Sequence, residues 1–403
     1  MRVGFVTGEY PPLQGGIADY TQRLVRGLQE QDVEPFVLTS RRAASSEQDS
    51  LVLPVVDRWD WTVWRTVAQW ARRWQWDVVH IQYQPAAYNL HAGINVVPWL
   101  LRRAVPQVRV VTTFHDLRVP YLFPKAGPLR QMMVRLLAAQ SDGVIAVAPE
   151  DLALLNSWRS EGGVAHIPVG NNIDVPPPSG FDRNLWRSQL GATPETVVIA
   201  HLGFINRSKG VHVLIRALAR LVARGLDVQV LMIGEQTGAS DAENVRYLGE
   251  ITALIERLRL RPHVHWTGFQ PLPEVAAWLR CADIAALPYG DGASQRRTSL
   301  LACLAHGLPT VTVAAPPPPH RANARSAGGD GLVHGKTVWL IPSADAAALG
   351  DAIMELVGDR ERRLALARGG GEYARRFAWP DIARRTRVIY DRTLTRAAAH
   401  GPG

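Results

Sequence analysis

Lysine is scarce in this chain. Of 45 basic residues in 403, only Lys125, Lys209 and Lys336 are lysines; the rest are arginines. An arginine at any one position therefore says little, and a lysine says more. Cysteine is scarcer still. Cys281 and Cys303 offer no metal-ligand spacing and no disulfide framework, so a reducing cytoplasm is the expected compartment. No apolar run approaches the ~20 residues that span a bilayer. The opening MRVGFVTGEY has a strand's pattern and lacks the long apolar region and cleavage site of a signal peptide. There is no His-Glu-x-x-His and no Gly-x-Ser-x-Gly, which removes the zinc-protease and serine-hydrolase signatures.

What remains is ordinary globular composition, 47% hydrophobic and 20% charged, in a chain long enough for about two domains. The net charge of +9 favours anionic partners such as nucleotides, phosphates or anionic lipid. Arg-Arg pairs begin at 41, 72, 102, 296, 362, 375 and 384. They are scattered, and no reader motif accompanies them, so nucleic acid is not an expected partner.

Two stretches begin alike. Residues 1–8 form an apolar strand pattern, followed by the turn-rich EYPPLQGG and the helical IADYTQRLVRGLQE. Residues 196–203, TVVIAHLG, lead through FINRSKG into the helical VHVLIRALARLVARG. Strand, glycine-bearing loop and helix open a doubly wound parallel sheet, and its recurrence predicts two such domains. Further strands are expected at 76–83, 108–116 and 142–149, then at 227–234, 264–269, 283–289 and 309–315. The boundaries follow from composition: a first Rossmann-like domain over 1–178, a second over 179–375, and a terminal helix with a frayed tail over 376–403. The long loop 315–336 has no apolar period. In 57–77, Trp64, Val67, Ala71 and Trp74 share a helical face; packing on the sheet is favoured over an interfacial membrane helix.

Candidate site residues lie after strands, where ligands bind in open parallel sheets. Gly15 and Gly16 precede the first helix and would leave backbone N–H groups open to a phosphate. Lys209 opens the helix after the second domain's first strand, and lysine is a compact point charge suited to phosphate. His115 and Asp116 end the strand at 108–116; the histidine suits proton transfer or a hydrogen bond to a sugar hydroxyl. Arg296 and Arg297 gain interest from their place between a Gly/Ser loop and a helix. DGLVHGKT (330–337) nearly spells a phosphate-binding loop, but VWLIP reads as a strand where a helix is required.

Taken in order, GEYPPLQGGIADYTQRLVRGL, IPVGNNID, HLGFINRSKGVHVLIRALARL, LPYGDGASQRRTSLLACLAHGLPTVTV and FAWPDIARR resemble the retaining glycosyltransferases of family 4. The resemblance covers nearly the whole chain. It implies the GT-B fold, with two Rossmann-like doubly wound domains facing each other across a cleft and a terminal helix crossing back to the first. It implies transfer of a sugar from a nucleoside-diphosphate sugar to a glycan, lipid-linked or small-molecule acceptor. Neither cofactor nor metal is implied, and no Asp-x-Asp occurs. Lys209 matches the family's phosphate-binding lysine. The donor diphosphate is expected at Gly15, Gly16, Lys209, Ser294, Arg296, Arg297, Thr298 and Ser299, the acceptor at Asp19, Tyr20 and Asp116, and the catalytic residues are expected to be His115, Lys209 and Asp291. One departure is marked: the family's two donor-loop glutamates fall on Ser294 and Ala302, and Asp291 is the expected substitute carboxylate. The family's arginine before the lysine falls on Phe204. A degenerate nucleotide-sugar-binding protein is the alternative. The basic tail and tryptophan-rich helix are compatible with peripheral contact at an anionic membrane.

Overall fold

The computed structural model describes residues 1–13, 16–44, 51–117, 127–159, 162–235, 242–295, 297–315 and 331–400. The chain forms two compact units, Met1–Gly170 with Trp379–Gly403, and Asn171–Ala378. Residues from Asn171 onward belong with the second unit for a local reason. The Asn171 N–H donates to the Phe377 carbonyl at 2.8 Å, and His306 Nε2 donates to the Ile173 carbonyl at 2.7 Å.

In the first unit the described strands are β1 (Arg2–Val6), β2 (Glu34–Ser40), β3 (Val52–Val56), β4 (Val78–Tyr83), β5 (Arg109–Phe114), β6 (Gly143–Ala146) and β7 (Ala165–His166). They form one parallel sheet in the order β3-β2-β1-β4-β5-β6-β7. Its helices are α1 (Gly16–Gln29), α2 (Val63–Trp74), α3 (Val97–Ala104), α4 (Gly127–Gln140) and α5 (Leu152–Ser157). Strands β2, β3 and β7 were not anticipated. Pro54 interrupts the apolar pattern of β3, a residue tolerated because β3 lies at the sheet edge, where a missing N–H costs no ladder bond. The tryptophan-rich helix packs on the sheet. Val63, Val67, Ala68 and Ala71 are buried, and Trp64 and Trp74 lie half-buried against the same core.

The second unit holds helices α6 (Arg183–Ser188), α7 (Val211–Ala223), α8 (Ala242–Arg257), α9 (Leu272–Cys281), α10 (Thr298–Ala305), α11 (Ala346–Gly358) and α12 (Arg360–Ala374). Its strands are β8 (Val197–Leu202), β9 (Val228–Ile233), β10 (Val264–Trp266), β11 (Ile284–Leu287), β12 (Thr310–Val313) and β13 (Trp339–Ile341), parallel in the order β10-β9-β8-β11-β12-β13. VWLIP is thus a strand, and the near-match to a phosphate-binding loop lacks its helix. Helix α7 buries Val211, Leu214, Ile215, Leu218 and Leu221, the three-and-four spacing of one helical face.

The closing helix α13 (Trp379–His400) returns to the first unit and packs along α1. A buried polar chain ties it to the sheet. His80 of β4 places Nδ1 2.6 Å from the Tyr390 hydroxyl of α13 and Nε2 2.7 Å from Thr113 Oγ1 of β5. Both ring nitrogens are thereby satisfied in a strand buried on both faces, where an unpaired polar atom would be costly.

Burial lowers the pKa of His80 to about 3 and that of His201, in β8, to about 4; nearby charge adds to both shifts. A histidine whose folded pKa is depressed contributes stability that is present above its unfolded pKa near 6.5. That contribution is lost as pH falls towards the folded value. Urea unfolding midpoints should therefore already decline between pH 7 and 5.5. A midpoint constant over that range would contradict the neutral, buried assignment.

Candidate functional site

In each sheet the winding direction reverses once, between β1 and β4 and between β8 and β11. Loops after two such strands leave in opposite directions and open a crevice at the strands' carboxyl ends. In the second unit these are the loops 203–210 and 288–297. They are fastened to each other: the Gly290 N–H donates to the Ser208 carbonyl at 2.8 Å. Gly210 has φ +67° and sits so close that a Cβ would lie 2.0 Å from the Pro288 carbonyl oxygen. Asn206 shapes the first loop. Its Oδ1 accepts from the Lys209 N–H at 3.1 Å and from Ser208 Oγ at 2.9 Å, an Asx-type cap that fixes the turn Arg207–Lys209.

Lys209 is half-buried, and its ammonium lies over Gly203, where a Cβ would come within 2.0 Å of Nζ. No described carboxylate pairs with it. Burial first, and then the charge of Arg297, pull its pKa down to about 8. The two cations are held on the crevice side of one parallel sheet, each raising the cost of the other's charge. Arg297 immediately precedes α10, and its guanidinium carbon lies 4.6 Å from the centre of the Tyr289 ring. It is also ion-paired with Asp291.

This geometry revises several expectations. Asp291, the expected substitute carboxylate, is exposed and ion-paired with Arg297, so it also steers that arginine. The buried Ser299 hydroxyl lies 2.7 Å from the Tyr289 hydroxyl and is committed to it, so Ser299 can offer a donor only its backbone N–H. Thr298, exposed at the first position of α10, retains its hydroxyl, and Ser294 is half-buried, its carbonyl accepting from the Arg297 N–H at 3.0 Å. Ala302 is fully buried in the core. Arg296 lies outside the described residues, as do Gly15 and residues 316–330 of the long loop. Tyr289 and Asn206 escaped the sequence reading. The signal for Asn206 was present, an asparagine three residues before the lysine; the role of Tyr289 depends on a tertiary contact.

In the first unit, Gly16 is exposed and begins α1. A Cβ there would meet no described atom within 4 Å, so nothing in the described chain demands glycine. His115 follows β5, its N–H donating to the Tyr83 carbonyl at 3.0 Å and its Nε2 lying 2.9 Å from Gln82 Oε1. Burial holds its pKa at about 3, so the imidazole is neutral. A group with that pKa is a poor proton acceptor at neutral pH, which favours hydrogen bonding over general-base work. Tyr20 is 2% exposed, packed edge-on against His115 at 4.6 Å and against Trp379 at 5.2 Å. It therefore buttresses the histidine. Asp19 is exposed on the first turn of α1, and Asp116 is half-buried beyond the end of β5.

Residues 15–170 match the family described as "Glycosyl transferase 4-like domain", and residues 196–359 match "Glycosyl transferases group 1". The chain belongs to the family 4 glycosyltransferases. Two relatives align over almost their full length. A D-inositol 3-phosphate glycosyltransferase of Jonesia denitrificans is 26% identical, covering 96% of this chain and 93% of its own. A phosphatidyl-myo-inositol mannosyltransferase of Mycobacterium leprae is 26% identical, covering 98% of both. Among solved structures, a Rickettsia africae glycosyltransferase superposes with TM-score 0.70 at 15% identity, covering 98% of this chain and 99% of its own. Anabaena HepE bound to UDP-glucose superposes at 0.65 and 19%, covering 98% and 100%. The fold of this glycosyltransferase is thus GT-B, as its two parallel α/β sheets indicate.

Two outcomes test the lysine site. In Lys209→Ala, turnover should fall roughly 10²-fold, the loss seen when one preorganised electrostatic group is removed from a transition state. In the wild type, kcat/KM for the donor should fall above about pH 8 as the free ammonium deprotonates, and Lys209→Arg should move that limb upward. An alkaline limb unmoved by the arginine would reject the assignment. Separately, Gly210→Ala should cost at least about 1 kcal/mol in thermal unfolding, because the position combines a left-handed φ with a backbone clash.

Proposed function

We propose that this glycosyltransferase uses a nucleoside-diphosphate sugar and grips its diphosphate with Lys209, Arg297 and the first N–H groups of α10. The observation that carries the reading is the uncompensated charge of Lys209: a half-buried ammonium beside a guanidinium, with no described carboxylate of its own. Such a pair is unfavourable in isolation and favourable once a diphosphate arrives. As the sugar–phosphate bond breaks, negative charge grows on the leaving diphosphate, where these fixed groups already stand. They supply the role a metal would otherwise fill, and transfer is proposed to proceed without one and with retention of anomeric configuration.

On the acceptor side, the exposed Asp19, the half-buried Asp116 and the neutral His115 are assigned to hydroxyl recognition, with Tyr20 holding the imidazole. Gly16 is assigned to close approach of a ligand at the start of α1. The acceptor class is proposed from the two full-length relatives, whose names place inositol phosphates and phosphatidylinositol among family acceptors. A phosphorylated polyol, free or lipid-linked, is the first to test. Among the described residues no helix is long and apolar enough to cross a membrane.

Thermal-shift screening of nucleoside diphosphates and their sugars should reveal one base that raises the melting temperature, since ligand binding to the native state stabilises it by mass action. Transfer with that donor should persist in EDTA. A transfer activity abolished by EDTA and restored by Mn²⁺ would overturn the metal-free mechanism. Donor binding with neither hydrolysis nor transfer would favour the degenerate binding protein, a reading motivated by the alanine and serine at the two glutamate positions.

A further inference from the structure

The second unit has another basic concavity, at the opposite ends of its strands. A cavity of about 240 Å³ is lined by Arg183, Arg280, Arg360 and Arg363 together with Asp283 and His306. Asp283 immediately precedes β11, and His306 closes α10 just before β12. The cavity therefore lies at the amino ends of β11 and β12, whereas Lys209 and Arg297 follow the carboxyl ends of β8 and β11. One sheet separates the two places.

The charges do not cancel. Asp283 is fully used: Oδ1 accepts from Arg183 at 2.6 Å, while Oδ2 accepts from the buried Arg187 at 3.0 Å and from the Val198 N–H at 2.9 Å. Arg363 donates to the Val357 carbonyl at 2.6 Å, at the end of α11, and has no carboxylate partner among the described residues. The Arg280 carbonyl accepts from Arg183 Nε at 3.2 Å, but the guanidinium groups of Arg280 and Arg360 have neither a hydrogen bond nor an ion pair with a described residue. Arg360 also opens α12, the helix end at which a cation is electrostatically disfavoured and an anion favoured. Its neighbour Asp359 is occupied in capping that helix and pairing with Arg362. The walls are firm, because α6 packs on α9 and α10 packs on α12.

We propose that this pocket is a second anion site, distinct from the donor site, which binds a phosphomonoester or diphosphate group through Arg280 and Arg360. Guanidinium forks match phosphate oxygens in pairs, and the cavity has room for a phosphate with a small organic body. Helix α10 links the two places: it begins at the proposed donor contacts Thr298 and Ser299 and ends at His306 in the pocket wall.

Calorimetric titration of the full chain with pyrophosphate, at constant ionic strength, tests the assignment. The Lys209→Ala variant removes the donor site as a competitor and should still bind one pyrophosphate. Adding Arg280→Ala and Arg360→Ala to it should weaken that binding at least roughly tenfold, since each substitution removes a charge-assisted contact. Arg261→Ala, a surface arginine remote from the cavity, should leave it unchanged. Binding that survives the double substitution, or falls equally in Arg261→Ala, would overturn the proposal, as would no saturable binding in the Lys209→Ala background. Because the side chains of Arg280 and Arg360 make no bond to a described residue, unchanged melting temperatures should accompany the loss. Glucose 6-phosphate and vesicles carrying phosphatidylinositol 4-phosphate, run in parallel, distinguish a soluble source of the phosphate from a lipid one.

Discussion

A single ammonium, withdrawn from water beside a guanidinium, sets the terms for the second unit. Desolvating Lys209 and holding it near Arg297 are both unfavourable, and the surrounding fold enforces them. The reversal of strand order between β8 and β11 brings the two loops to one crevice. Gly210 lets the loops touch, Gly290 bonds them, Asn206 fixes the turn on which the lysine sits, and Gly203 leaves space for its ammonium. On the other side, Tyr289 and Asp291 orient Arg297. Each of these groups matters because it holds a charge where an anion would relieve the strain of two cations.

The first unit follows the same topological rule with different chemistry. Among its described residues, a neutral imidazole follows β5. His115 is kept neutral by burial and held between Gln82 and Tyr20, while Trp379, at the start of the returning helix, braces Tyr20. The His80–Tyr390 contact anchors the same helix farther along. The terminal helix is thus part of the first unit's core, and its tyrosine completes a hydrogen-bond chain that two strands would otherwise leave open.

Strand and helix periodicity made the two-sheet architecture legible, and the repeated strand–loop–helix opening revealed that it occurs twice. The misses have physical causes. β3 carries a proline, β7 is two residues long, and β2 carries Pro35 near its start, a residue that reads against a strand inside a sheet. For the candidate site, position after a strand was enough to locate Lys209, His115 and Arg297 at the carboxyl ends of their sheets, but not to say how individual hydroxyls are bonded. Ser299 and Tyr20 lie on the expected elements, yet one is bonded inward and the other is buried as a support.

The sequence by itself determined that two parallel-sheet units exist, that the crevice of the second holds a lysine and an arginine, and that serine and alanine replace the glutamates of related chains. Periodicity and loop position suffice for this because both are local properties of the chain. Only the tertiary structure decided how each polar group is spent. Asp291 is taken by Arg297, Ser299 by Tyr289 and Asp283 by two arginines, whereas Lys209, Arg280 and Arg360 keep their charge without a described carboxylate partner. Whether a charge is compensated depends on contacts between residues tens or hundreds of positions apart, and no local pattern records them.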